Sequence, residues 1–255
     1  MVRHIFLLSG LLFAFAAAPA TAEPRSTFEV DAHTTLGACQ GLVEDHLAGI
    51  LRGIRALAVT SEAQTGEWAA VEPALMRLSE DLPTDATVWF ALPDGSYAST
   101  ADGPSARKLS DRAYFPDLLA GKDVEGNLVV SKSTGLRSII VATPVLKDGA
   151  VVAMIGVSVE AQLVSALVTE TASLPDDLTF YALDANGQAA IHRDPERMFQ
   201  YPSDLGEPSL RAAVETILSQ PRGVIEYEFE GTKRVGVFNK SDATGWHFVL
   251  VQIED

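Results

Sequence analysis

The segment around Arg112 carries the side chains best suited to holding a small charged molecule. Arg112 offers a planar guanidinium that keeps its charge, and its paired donors match the two oxygens of a carboxylate. Tyr114 and Phe115 follow with apolar ring faces, and the Tyr114 hydroxyl can orient a polar ligand. These residue types favour binding of a small molecule that carries a carboxylate.

Structural roles compete with binding in this segment. Arg112 is equally suited to an ion pair with Asp111 or Asp117, or to a contact with a helix end. Tyr114 and Phe115 stand at helical spacing with their neighbours, and apolar side chains in that pattern usually face a core. The segment alone leaves both interpretations open.

A catalytic or metal site is difficult to assemble from this sequence. The histidines beyond the N-terminal segment lack the close spacing of a metal site, and the single cysteine cannot complete one. Neither a Gly-x-Ser-x-Gly elbow nor a Gly-rich phosphate loop occurs. Ser105 and Lys108 match Ser-x-x-Lys, but we expect them in a polar loop. We therefore predict no enzyme, no cofactor and no metal, and a hydrolase acting through Ser105 is the disfavoured alternative. The histidines are His33, His46, His192 and His247.

The first 22 residues have the pattern of a cleavable secretory signal peptide. A basic start at Arg3 leads into an apolar run over residues 5–18, and small residues at Ala20 and Ala22 form a cleavage site. An uncleaved anchor is the alternative, but the run is shorter than the roughly 20 apolar residues that span a bilayer. We predict cleavage after Ala22 and a periplasmic or secreted protein, anchored only if cleavage fails.

Composition points to a folded, acidic protein. The chain has 255 residues, 47% of them hydrophobic, which suffices for a core in one large or two small domains. Its formal net charge of −15 repels nucleic acid and anionic lipid, so neither is an expected partner. Cys39 has no second cysteine for an internal disulfide, and burial is the favoured environment. A polar stretch separates Leu36–Cys39 from the apolar run, which excludes lipidation of Cys39.

Hydrophobic periodicity predicts a helical start followed by two similar units. Residues 36–82 have helical spacing with a break near Gly66, and the period changes to two after Pro83. Strand, turn, strand, helix and three strands then occur twice, which indicates an α+β fold. The expected parts are a helical region at 23–85 and units at 86–170 and 171–255. Strands are predicted at 87–92, 97–100, 127–133, 138–146 and 150–159, then at 178–183, 188–192, 224–230, 234–240 and 246–253; helices are predicted at 109–120, 160–170 and 209–219.

This layout resembles the double Cache family, the PAS-like extracytoplasmic sensor domains of bacteria. The matching strings are short, and their order along about 36–255 carries the resemblance. It implies a long N-terminal helix and two Cache units, each an antiparallel sheet of about five strands with flanking helices. The strings are Asp94-Gly95-x-Tyr97, Leu109–Phe115, Ser131–Gly135, Pro144-Val145, Gly156 and Thr244-Gly245-Trp246.

The resemblance implies a ligand pocket in the first, membrane-distal unit around Arg112. Amino-acid-binding relatives hold the ligand carboxylate with an Arg-x-Trp-Tyr-like stretch and its ammonium with an acid near the last strand. Here Ser158 stands where that acid aligns, with Glu160 two residues on. A ligand with only a carboxylate therefore becomes a stronger alternative to an amino acid. The predicted ligand-binding residues are Arg112, Tyr114, Phe115, Ser131, Ser133, Thr143 and Ser158.

The predicted function is an extracytoplasmic sensor that binds a small organic acid or amino acid and signals through a membrane partner. That partner would be a sensor kinase, a chemoreceptor or a transporter. The alternative is a non-catalytic module that docks such a partner without a ligand of its own. Glycines at 37, 41, 49 and 53 would allow either a homodimer through the N-terminal helix or close packing of that helix on its own domain.

Overall fold

The computed structural model describes residues 30–82, 84–131 and 135–254. The predicted signal peptide and Ser133 lie outside these ranges. Within them, no helix is long and apolar enough to cross a membrane.

The N-terminal region is helical, as the periodicity predicts. Helix α1 (Ala32–Ala58) begins after Asp31, whose carboxylate accepts a hydrogen bond from the Thr34 amide at 3.1 Å. A short 3-10 turn ends at Gly66, which adopts the left-handed conformation at φ 73°. Because only glycine takes that conformation without strain, Gly66 separates α1 from α2 (Trp68–Asp81).

Two antiparallel sheets follow along the chain. The first contains β1 (Ala86–Ala91), β2 (Ser96–Ser99), β3 (Gly103–Lys108), β4 (Val124–Val130), β5 (Arg137–Lys147) and β6 (Ala150–Glu160), in the order β3-β2-β1-β6-β5-β4. Helix α3 (Phe115–Leu119) precedes β4, and α4 (Ala161–Ala172) leads to the second sheet. The second contains β7 (Leu178–Leu183), β8 (Ala189–His192), β9 (Arg222–Phe229), β10 (Thr232–Lys240) and β11 (His247–Glu254), in the order β8-β7-β11-β10-β9, with α5 (Pro208–Ser219) between β8 and β9.

The strand orders make the two sheets equivalent. Strands β7, β8, β9, β10 and β11 occupy the positions of β1, β2, β4, β5 and β6. The predicted α+β class, with an N-terminal helix and two antiparallel sheets, is confirmed. The first sheet has a sixth strand, β3, because the polar stretch expected to be a loop pairs with β2 at the sheet edge.

The helix predicted over 109–120 is shorter in the structure. Residues 109–114 form consecutive turns, in which the Arg112 amide bonds to the Leu109 carbonyl at 2.9 Å. Only Phe115–Leu119 is helical. Pro116 has no amide hydrogen to donate to the Arg112 carbonyl, so a helix cannot run continuously through this point.

The first sheet is buried on both faces, and strand alternation decides which side chains face which way. Val88 and Phe90 belong to the same core as α1, whereas Trp89 and Ala91 belong to a second core with Tyr114. The candidate site lies on this second face. Cys39 is buried in α1, as expected.

Candidate functional site

A cavity of about 280 Å³ lies between the second face of the first sheet and the turns at residues 109–114. This volume is close to the lower end of the range of ligand pockets, about 300–1,000 Å³. Its wall combines hydroxyls, apolar side chains and three charged groups. The lining residues are Ser79, Asp85, Ala86, Thr87, Trp89, Tyr97, Ser99, Leu109, Arg112, Tyr114, Val129, Ser131, Leu136, Ser138, Ile140, Ser158 and Glu160.

Trp89 forms one wall of the cavity and is held on three sides. Its indole lies over Gly156, its partner on β6, and a side chain at that position would clash with the ring. The indole Nε1 donates to the Ser158 hydroxyl at 3.2 Å. The ring stacks on Tyr114 with centroids 6.3 Å apart. Glycine is therefore required at position 156 because the Trp89 ring lies against the backbone there, and not because the backbone adopts an unusual φ angle.

Arg112 is positioned by the turns that replace the first half of the predicted helix. Its guanidinium donates to the Val130 carbonyl at 3.0 Å, which ties it to the end of β4. Asp117 pairs with Lys122 instead, at 3.3 Å. Among the described residues no carboxylate forms an ion pair with Arg112, so the predicted alternative of a structural ion pair is not realised there. Among the described residues, the Val130 carbonyl is the one hydrogen-bond partner of the guanidinium.

Tyr114 contributes a neutral hydroxyl to the cavity. Its side chain is buried, and burial raises the pKa of this phenol well above its ordinary value, with a smaller opposing effect from Arg112. The hydroxyl therefore stays protonated at physiological pH and can both donate and accept a hydrogen bond.

Two carboxylates, Asp85 and Glu160, line the same cavity. The antiparallel register pairs Ala86 with Val159, so its continuation places Asp85 opposite Glu160. Glu160 is also the partner of Ser138 on β5. Neither carboxylate has an ion-pair partner within the described ranges. Asp85 is not in the predicted set because its relevance depends on the pairing of β1 with β6, which are distant in the sequence.

The predicted site residues divide into two groups. Arg112, Tyr114, Ser131 and Ser158 line the cavity. Phe115 and Thr143 do not: Phe115 is buried in the core beside the cavity, and Thr143 pairs with Ile155, which packs toward α1. Thr143 lies an odd number of residues from the cavity-lining Ile140, so strand alternation turns it to the opposite face.

The sequence match to Ser-x-x-Lys lies on β3. The Ser105 hydroxyl accepts a hydrogen bond from the Arg107 amide at 3.1 Å. Lys108 pairs with Asp94 at 3.0 Å. No group of three or more His, Cys, Asp or Glu side chains is arranged to hold a metal ion in the part of the chain that the structure describes.

Comparison with known proteins gives a consistent result for the fold. No protein-family model and no curated protein matches the sequence. Solved structures do match. The ligand-binding domain of the Pseudomonas aeruginosa amino acid chemoreceptor PctB, in complex with L-Arg, has a TM-score of 0.67 at 17% identity and covers 88% of this chain and 94% of its own.

Two further structures give similar values. The ligand-binding domain of the Campylobacter jejuni chemoreceptor Tlp3, in complex with 4-methylisoleucine, has a TM-score of 0.66 at 14% identity, with coverage of 87% and 89%. The extracellular domain of the putative histidine kinase mmHK1S-Z2 has a TM-score of 0.68 at 16% identity, with coverage of 87% and 95%. The resemblance to double Cache sensor domains is thus confirmed at the level of the fold.

Proposed function

We propose that this protein is an extracytoplasmic sensor domain that binds a small amino-acid-like ligand in the cavity at Arg112 and signals through a membrane partner. The observation that carries the proposal is the charge arrangement of the cavity. One guanidinium and two carboxylates line it, and none of the three has an ion-pair partner among the described residues.

A zwitterion matches this arrangement better than a simple acid does. Arg112 is suited to the ligand carboxylate, since a guanidinium binds two oxygens side by side. Asp85 and Glu160 are suited to an ammonium group, whereas a ligand with only a carboxylate would be repelled by both. The chemoreceptor structures described with L-Arg and 4-methylisoleucine bind ligands of this class.

Three ligands of matched carbon chain separate the alternatives by calorimetry. L-Norvaline carries both charges, pentanoate lacks the amine, and butylamine lacks the carboxylate. We expect norvaline to bind at least tenfold more tightly than either analogue. Equal binding of pentanoate would show that the ligand is a plain carboxylate and that Asp85 and Glu160 do not hold an ammonium. If no member of a wider amino-acid panel binds, the proposal is wrong.

Matched variants test the residue assignment. Removing one partner of a desolvated charge pair costs about 2–5 kcal/mol, so Arg112→Ala should weaken binding by roughly 30-fold or more. Arg107→Ala is the control, because Arg107 is an exposed arginine on β3 away from the cavity. Glu160→Gln should weaken norvaline binding while leaving pentanoate binding equal or stronger. An unchanged affinity for norvaline in Arg112→Ala would show that Arg112 does not bind the ligand carboxylate.

Signalling and location form the second part of the proposal. We expect the exported chain to begin at Glu23, which N-terminal sequencing would establish. Capture of a sensor kinase, chemoreceptor or transporter from membranes should depend on ligand and be reduced by Arg112→Ala. Capture that is unaffected by ligand and by Arg112→Ala would instead support a docking module without its own ligand.

A homodimer through α1 stays a prediction. A side chain added at Gly37 or Gly41 would meet nothing within 4 Å, whereas one at Gly53 would approach Leu78 of α2 at 3.3 Å. The first half of α1 therefore has an open small-residue face at Gly37 and Gly41, while its opposite face is buried in the core through Leu36, Cys39 and Val43.

A further inference from the structure

The second unit has a cavity at the position equivalent to that of the first. It lies between the sheet face formed by β7–β10 and the segment 195–210, and its volume is about 40 Å³. In the first unit, the corresponding segment between β2 and β4 supplies Arg112 to the larger cavity. The polar and aromatic lining residues of the smaller cavity are Tyr181, His192, Arg197, Gln200, Tyr227, Phe229 and Arg234.

Arg234 is the unusual group in this cavity. It lies on β10 opposite Tyr227 of β9, and its guanidinium lies 5.2 Å from the centre of the Phe229 ring. Its Nε atom is buried without a hydrogen-bond partner. In the described part of the chain, no carboxylate forms an ion pair with it. A buried cationic donor left in this state is unfavourable, and an anion beside it removes the cost.

Arg197 provides the contrast within the same cavity. Its guanidinium donates to both oxygens of Glu230, at 2.9 and 3.0 Å, and to Asp194 at 3.2 Å. Two carboxylates therefore neutralise this arginine, whose guanidinium also lies over the Phe229 ring at 4.6 Å from its centre. Arg197 therefore has a structural role in the cavity wall. Arg234, which has no ion-pair partner among the described residues, can pair with an anionic ligand.

His192 adds a neutral donor. Its Nδ1 accepts a hydrogen bond from the Asp194 amide at 2.8 Å, so the ring hydrogen lies on Nε2. Burial and the nearby Arg197 lower the pKa of His192 to about 4, so the imidazole is uncharged at physiological pH. No Asp or Glu side chain lines this cavity, in contrast to the first. It therefore lacks a partner for a ligand ammonium.

Size and wall chemistry narrow the ligand further. A water needs about 10–15 Å³ of such volume, so 40 Å³ accommodates a ligand of about three or four non-hydrogen atoms. The rest of the wall is apolar and suits a short hydrocarbon tail better than an anion that needs hydrogen bonds on every side. This apolar part consists of Ala189, Pro202, Leu205 and Leu210.

We propose that the second unit binds a short-chain monocarboxylate of formate or acetate size, with its carboxylate on Arg234 and the His192 Nε2–H. This site is independent of the cavity at Arg112. It gives the protein two ligand classes of different charge, a zwitterion in one unit and a simple acid in the other.

Titration of the full mature chain with ¹³C-labelled acetate and with formate, followed by NMR and calorimetry, tests the site. We expect saturable binding that Arg234→Met weakens at least tenfold and that Arg112→Ala leaves unchanged. Arg222→Met, at an exposed arginine on β9, is the matched control. Arg234→Met should melt at or above the wild-type temperature, because it removes a half-buried guanidinium whose Nε atom has no hydrogen-bond partner.

Other outcomes overturn the proposal. Loss of acetate binding in Arg112→Ala would place the acid in the first cavity. Equal binding of phosphate, sulfate or chloride would make the site a general anion site, and the absence of saturation would mean that it has no ligand. If Arg234→Met does not fold, Leu205→Trp provides the second test. Leu205 is partly exposed at the cavity, a tryptophan there can fill it, and the variant must lose acetate binding.

Discussion

Substitution of Gly156 by alanine gives a direct test of how the first cavity is built. A methyl group at this position would lie 2.1 Å from Cζ2, 2.4 Å from Cε2 and 2.5 Å from Cη2 of Trp89. Carbon atoms pack at about 3.5–4.0 Å, so the indole must move by roughly 1.5 Å. That movement breaks the Nε1 hydrogen bond to Ser158 and disturbs the stack on Tyr114.

The expected cost follows from these contacts. Overpacking of a core costs about 1–3 kcal/mol, and a lost hydrogen bond adds about 1 kcal/mol. Gly156→Ala should therefore lower the free energy of unfolding by about 2–4 kcal/mol. For a chain of this length, each kcal/mol shifts the melting temperature by about 2–4 °C, so the melt should fall by roughly 5–15 °C. Affinity for a ligand of the first cavity should decrease at least tenfold, because Trp89 forms its wall.

Thermal melts and calorimetry on matched variants make the result interpretable. Gly41→Ala is the control, since its new methyl group meets nothing within 4 Å and alanine is favoured in a helix by up to about 1 kcal/mol. Trp89→Leu should remove most of the cost of Gly156→Ala, which a double-mutant cycle measures. A Gly156→Ala protein with wild-type melting and wild-type affinity would refute the packing of the indole on β6.

Two further perturbations have defined outcomes. Trp246→Phe removes the indole N–H that donates to the Gly126 carbonyl at 3.1 Å. Urea denaturation should show a free energy of unfolding that is lower by about 1–3 kcal/mol. Trp68→Phe is the control and should cost less, because the Trp68 ring on α2 is only half-buried. His192 is neutral in the folded state because burial, and then Arg197, lower its pKa to about 4. Its unfolded value is near 6.5, so the unfolded state binds the extra proton and this group removes about 2–3 kcal/mol of stability between pH 7 and pH 4.5. The His192→Gln protein should therefore lose about 2–3 kcal/mol less stability than the wild type between pH 7 and pH 4.5. Equal losses of stability in the two proteins would contradict the assigned pKa.

Local spacing predicted most of the elements, but it missed β3 and made the helix at 109–120 longer than Phe115–Leu119. The helical start, its interruption at Gly66 and the repeated strand pattern all depend on neighbours within a few residues. Arg112 and Tyr114 were predicted as ligand contacts and line the cavity, since the turns that hold them lie against the sheet. The alternation that turns Thr143 away from Ile140 is also a local property, because it follows from a period of two.

Other features depend on which strands meet, and only the tertiary structure decides that. Asp85 lies beside Glu160 because β1 pairs with β6, across a separation that no local pattern encodes. Gly156 matters because an indole from β1 lies over it. Likewise, Arg234 and Arg197 have the same chemistry in the sequence. Two carboxylates neutralise Arg197, while Arg234 on β10 has a buried Nε atom and no ion-pair partner among the described residues. Residue type sets what a side chain can bind, and the packing of distant elements sets whether its partner comes from the chain itself or from a ligand.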